Sequence, residues 1–280
     1  MTGVIQTDFV KFTSKSGYLS VTMKLRTDPR YASIDWEGND ENLEIIYKIE
    51  ELTPSYEDDE KNKVLLLFKN PHPDSVKNGL FLSESHSRSF WQRLFSVCYN
   101  QKLLPLLKSA DWIQSVAATL LSGQYQSPFL YHFRCLYSFP TKQFADLKNL
   151  FSGAPTTYQQ MIVERSINGL NDYLEKNKIS YVIVFFKEGM GIISGGSLPP
   201  SCHVINSAKK AIDQYKQSGD GKTFWEAVPG FKKVSNKGVA FYLNMNTRTK
   251  NHPAHPQGHY FTHNLELILR DILKNKAIKP

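Results

Sequence analysis

The sequence predicts an α+β protein, an N-terminal antiparallel sheet followed by a mixed region of helices and strands. Three observations predict it. Apolar and polar residues alternate with period two over the first seventy residues, the spacing changes to three and four from Ser87 onward, and short apolar runs return at Ser180. With 280 residues and 41% hydrophobic content, the chain can bury a substantial core.

Taken in order, "VIQTDFVKF" reads as a first strand and "TSKSG" as a hairpin loop leading into a second, "GYLSVTMKL". There Leu19, Val21, Met23 and Leu25 alternate with Tyr18, Ser20, Thr22 and Lys24, the pattern of a strand with one wet face. "NLEIIYKIE" repeats the alternation, and "KVLLLFKN" is a continuous apolar run that suits a strand covered on both faces. The acidic "SYEDDEKNK" between them is an exposed loop. Glu50, Glu51, Glu57, Asp58, Asp59 and Glu60 lie in or beside it, where mutual repulsion and hydration favour mobility over acid–base chemistry.

From Ser87 to Lys108, Trp91, Leu94, Phe95 and Cys98 share one side of a helix that Pro105 kinks or stops. "ADWIQSVAATLLSG" is a second helix, with Asp111 in its first turn and Gly123 at its end. "FLYHFRCLYSF" has the aromatic density of a strand. A long helix follows from Thr156 or Thr157, where Gln159 or Gln160 completes a capping box and Val163, Ile167, Leu170 and Leu174 form the core stripe. Then come a buried strand "SYVIVFF", a helix "CHVINSAKKAIDQYKQ", a strand "GVAFYLNMN" and a closing amphipathic helix "HNLELILRDILKNK". The turn-rich "NPHPDSVKNG" suggests a boundary dividing residues 1–78, an antiparallel region, from residues 79–280, a basic α+β domain.

The net charge of +8 hides an asymmetry. Up to Glu60 there are thirteen acids against six Lys or Arg, a net of −7; beyond it there are twenty-eight bases against thirteen acids, a net of +15. Such an excess attracts anionic partners and speeds their encounter, although it says nothing of fold. The expected function is therefore that of a binding protein whose basic C-terminal region engages nucleic acid or an acidic protein surface. Basic and aromatic residues interleave after Gly219, and Lys222, Trp225, Lys232, Lys233, Lys237, Arg248 and Lys250 are the candidate binding residues.

No apolar run is long enough to span a bilayer and no signal peptide opens the sequence, so a cytoplasmic protein is expected, or an effector delivered by a dedicated secretion machine. Three scattered cysteines, Cys98, Cys135 and Cys202, form neither a disulfide framework nor a zinc pattern and suit a reducing compartment. No cofactor motif is present: the glycines of "FFKEGMGIISGGSLPPSCH" lack the immediate helix and the GKS or GKT of a phosphate loop, and a hairpin turning at Glu188 and Gly189 explains them more economically.

Two alternatives rest on specific residues. Ser201 can cap a helix with Cys202 in its first turn, where unpaired N–H groups stabilise a thiolate. With His255 or His259 as base, Cys202 would then serve a thiol hydrolase or acyl transferase. His252, His255, His259 and His263 fall within twelve residues and could ligate a transition metal, although Pro253, Pro256 and Gly258 prevent one helix from aligning them. Cys98 and Cys135 read as core residues.

Overall fold

The computed structural model describes residues 4–56, 58, 60–84, 88–186, 188–189, 232–233, 239–243, 262, 265–266, 268–270 and 272–273. Among them, helices and a mixed sheet make an α+β fold. Eight strands are present: β1 (Ile5–Lys11), β2 (Trp36–Asn39), β3 (Glu44–Leu52), β4 (Asn62–Phe68), β5 (Phe129–Cys135), β6 (Tyr181–Val184), β7 (Lys232–Lys233) and β8 (Val239–Tyr242). The sheet order is β1-β3-β5-β4-β6-β8-β7, with β2 also on β3. The four central strands β5, β4, β6 and β8 are mutually parallel, and antiparallel strands flank them on both sides.

Position in the sheet follows from composition. Every residue of β4 is buried, as its unbroken apolar run predicts, and the strand lies at the centre between β5 and β6. Its side chains divide by alternation. Val64, Leu66 and Phe68 join a core on one face with Phe129, Tyr131, Phe133 and Ile183, under helices α3 (Arg88–Ser96) and α4 (Trp112–Ser122) and the helical residues between Thr262 and Leu273. Leu65 and Leu67 join the other core with Val182 and Val184, under α1 (Lys15–Thr27), α5 (Phe144–Leu150) and α7 (Arg165–Lys176). Trp91 is fully buried in the first core, and its indole N–H donates to Phe81 O at 2.9 Å, so the largest apolar residue leaves no donor unmet. Because β3 and β4 both pair with β5, the chain before and after residue 78 builds one sheet.

The expected second strand is helix α1. Its N-cap is Ser14, whose hydroxyl accepts from Gly17 N at 3.2 Å, and its buried face carries Tyr18, Val21, Thr22 and Leu25. These residues recur at helical spacing, while Leu19 and Met23, half of the supposed strand face, are exposed. The residues taken for a hairpin loop are therefore a helix cap. Glu50 ends the expected strand, and the strand runs on through Glu51 to Leu52, so both carboxylates belong to β3 and neither to a mobile loop: Glu50 is buried, and Glu51 pairs with Arg134 at 3.1 Å.

After α3, Val97 turns to ψ 135° and the chain continues as a 3-10 helix, Cys98–Lys108, that contains Pro105. That break rotates Cys98 out of the apolar stripe, so Cys98 is exposed and not a core residue, whereas Cys135 is buried as expected. The long helix opens with Pro155 in α6 (Pro155–Thr157), passes through a π-helical stretch, Tyr158–Glu164, and continues as α7. Ala154 is its N-cap with no side-chain bond, so Pro155 at the first position starts it in place of the expected threonine box. Glu188 and Gly189 are helical, and the rest of the expected hairpin, residues 190–193, lies outside the described residues. A Cβ on Gly189 would collide with the Phe186 ring, so close packing accounts for this glycine.

Candidate functional site

The chain crosses from β4 to β5 over the α3 and α4 face, then returns from β5 past β4 to β6 over the α5 and α7 face. A reversal of winding in an open sheet separates the loops at the carboxyl ends of the two strands that flank it, the position at which such sheets take ligands. Here those strands are β4 and β6.

The β4 run ends at Lys69 and Asn70 because Pro71 cannot continue the ladder. Tyr137 N donates to Lys69 O at 2.9 Å, Asn70 Nδ2 to Thr141 O at 2.8 Å, and Thr141 N to Pro71 O at 3.1 Å. The loops after β4 and β5 are thus tied to one another. By alternation Lys69 shares the face of Leu67, toward α5. Its Nζ lies 3.9 Å from the centroid of Phe144 and 2.9 Å from Glu188 Oε1, just past β6. One turn along α5, Lys148 Nζ reaches the same ring at 5.5 Å, and Tyr137 stacks on it at 4.8 Å. Partial burial alone would raise the Glu188 carboxyl, but the Lys69 hydrogen bond, with Lys148 nearby, holds it below the usual carboxylate range. Two ammonium groups, one from the loop after β4 and one from α5, therefore approach one aromatic ring, and the Glu188 carboxylate pairs with the first of them.

The other face of the same sheet end is acidic. Glu50 is 4% exposed, and its Oε2 has no hydrogen-bond partner among the described residues. Burial, and then the charge of Glu84, push its carboxyl well above the ordinary range. Glu84 Oε2 accepts from Ser75 Oγ at 2.5 Å, beside α2 (Pro73–Asn78), and Ser83 N donates to Ser75 Oγ at 3.3 Å. On β5, burial and then the nearby Glu50 drive the Cys135 thiol well above its usual value, so this cysteine stays protonated.

A third polar group lies deeper, under α7. His132 Nδ1 is 3.0 Å from Tyr173 Oη, which is 2.7 Å from Thr53 Oγ1, and the Arg134 guanidinium covers the Tyr173 ring at 4.9 Å. Burial, and then the charge of Lys63, lower the His132 pKa to about 3, so the imidazole is neutral at physiological pH. His132 is 3% exposed, which fits a packed tether between β5 and α7.

Of the residues singled out in the sequence, Cys202, Lys222, Trp225, Lys237, Arg248, Lys250, His252, His255, His259 and His263 lie outside the described residues. Lys232 and Lys233 form the backbone of β7, the last strand of the sheet. Among the described residues no group of three His, Cys, Asp or Glu is placed to hold a metal ion, and no helix is long and apolar enough to cross a membrane. Phe144, Lys148 and Glu84 carry no sequence signal of a site; Lys69 and Glu188 lie in stretches that read only as a strand end and a turn, and Glu50 reads as part of an acidic loop without acid–base chemistry. No protein-family model matches this chain, and no curated protein matches its sequence.

Proposed function

We propose that this chain is a binding protein that takes a phosphoryl-bearing small molecule at the carboxyl ends of β4 and β6, where Lys69 and Lys148 supply the cationic contacts. One observation carries the reading: two lysine ammonium groups from separate elements lie 3.9 and 5.5 Å from the centroid of the same Phe144 ring, at the point where the winding of the parallel strands reverses. Lysine binds phosphate as a point charge, and a ring beneath the ammonium groups favours them by about 0.5–1 kcal/mol at an exposed site. The positive surplus beyond Glu60 supports the same sign of ligand. The test is calorimetric titration with pyrophosphate against the intact chain, Lys69→Gln and Lys148→Gln. Each substitution is expected to weaken binding several-fold, and equal affinity in all three proteins refutes the site.

A second reading, an extended polyanion such as nucleic acid or an acidic protein face held by the basic residues between Lys222 and Lys250, is favoured by the net +15 of residues 61–280. It requires affinity for a labelled oligonucleotide, or for an acidic peptide, that falls steeply between 50 and 200 mM salt. Affinity that does not change with salt removes its basis.

A further inference from the structure

Lys69 already holds an anion, and it belongs to the chain itself. Glu188 Oε1 sits 2.9 Å from Lys69 Nζ, and the field of Lys148 also acts on it. The two partners differ in their freedom. Lys69 follows the most deeply buried strand, its backbone carbonyl is bonded by Tyr137 N, and its side chain is 24% exposed. The Glu188 side chain is 60% exposed. The ammonium group is thus the enclosed partner, and the carboxylate is the one open to exchange with water. An ion pair this open to water is weak, because water competes for both groups. It is therefore an affinity adjuster and not a lock.

We propose that Glu188 is an internal occupant of the anion site, a carboxylate that a phosphoryl group must displace from Lys69 before it can bind. The inference rests on the anion-binding reading given above. The exchange is between charges of one sign at one ammonium group, and no covalent bond changes. Displacement frees the Glu188 carboxylate to water and leaves Phe144, Tyr137 and both lysines where they are. Glu188 thus sets a threshold: weak monoanions compete poorly with a tethered carboxylate, and polyanions, which engage both lysines at once, compete well.

The experiment is titration of the intact chain, Glu188→Gln, Lys69→Gln and the double variant with pyrophosphate and, separately, with acetate. The Glu188→Gln protein is expected to bind pyrophosphate about two- to fivefold more tightly than the intact chain, the ratio that loss of a competing exposed ion pair gives. The gain vanishes in the Lys69→Gln background, because the carboxylate then has no shared ammonium group to block. Exposed Glu175, at the far end of α7, controls for general charge: Glu175→Gln leaves the affinity unchanged. Should Glu188→Gln fold poorly, Glu188→Asp, one methylene shorter, tests the same displacement and shifts affinity the same way. If the intact chain binds pyrophosphate and Glu188→Gln binds it no better, the occupant role is overturned while the anion site stands. If no variant binds pyrophosphate, the anion-binding reading fails and takes this inference with it.

Discussion

Glu50→Gln is the most discriminating perturbation of the described structure. Glu50 is buried, one of its carboxyl oxygens has no partner among the described residues, and burial together with Glu84 raises its pKa well above the ordinary glutamate range. In the unfolded chain it titrates near the usual value of about 4.3. Between that value and its raised native one, the folded protein holds a proton that the unfolded chain has released. The associated stability is therefore complete below pH ~4 and declines as pH rises, until Glu50 ionises within the folded chain. One proton corresponds to a slope of about 1.4 kcal/mol per pH unit. Glutamine keeps the shape and removes the titration, so urea unfolding of both proteins at half-unit steps from pH 5 to 9 is the assay. The difference in unfolding free energy should move in favour of Glu50→Gln at about that slope and then level off, and the levelling pH reads the native pKa of Glu50. A pH-independent cost of roughly 1–3 kcal/mol for burying an unpaired amide is superimposed and does not alter the slope. Glu84→Gln, which removes the second cause, should bring the levelling point to lower pH. Two stability curves that stay parallel from pH 5 to 9 would refute the buried, proton-holding Glu50.

Three further outcomes follow from the same geometry. Alkylation of the native protein should spare buried Cys135 entirely and label Cys98 only in alkaline solution, because partial desolvation and the Glu266 carboxylate raise its thiol pKa; mass mapping also shows whether Cys202 reacts below about pH 8.5, and a Cys202 that does not cannot be an activated nucleophile. Asn100→Ala should cost roughly 1–3 kcal/mol in urea unfolding, since the Asn100 amide donates to Tyr131 Oη at 2.8 Å and accepts from Ser127 Oγ at 2.9 Å inside the core; an unchanged midpoint contradicts that network. Gly123→Ala should cost roughly 1–3 kcal/mol, because Gly123 ends α4 at φ +68° and a Cβ there would lie 2.9 Å from Tyr56 O; thermal unfolding unaffected by the change would show that the turn relaxes freely.

The strands that bury both faces were legible because composition alone marks them: "VLLLF" and "YVIV" can hardly be anything but sheet interior. Helix α1 was not, because two periods overlap in it. Val21 and Leu25 satisfy both the strand and the helix pattern, and the deciding signal, Ser14 three residues before Gly17, looks the same as a loop. The break after Val97 was invisible for a similar reason, since Cys98 continues the spacing of Trp91 and Leu94 and only the backbone turn removes it from the stripe. The candidate site is a product of strand order. Lys69, Phe144, Lys148 and Glu188 come from three separate stretches, and nothing in those stretches states that β6 lies beside β4. Glu50 was misjudged by its neighbours: it stands near a run of acids, but pairing of β3 with β5 carries it inward.

The central place of β4 sets a problem for the chain as it leaves the ribosome. Asn62 to Phe68 emerges early, yet its two neighbours are translated only with Phe129–Cys135 and Tyr181–Val184. At about 5–20 residues per second, roughly 6–23 s pass between completion of Phe68 and arrival of Val184. For that interval the apolar run Val64–Phe68 lacks at least one of its two neighbouring strands. A nascent-chain holdase, or a slow stretch of codons placed well before β4 instead of after it, would shorten the time in which two such segments on neighbouring polysomes can meet.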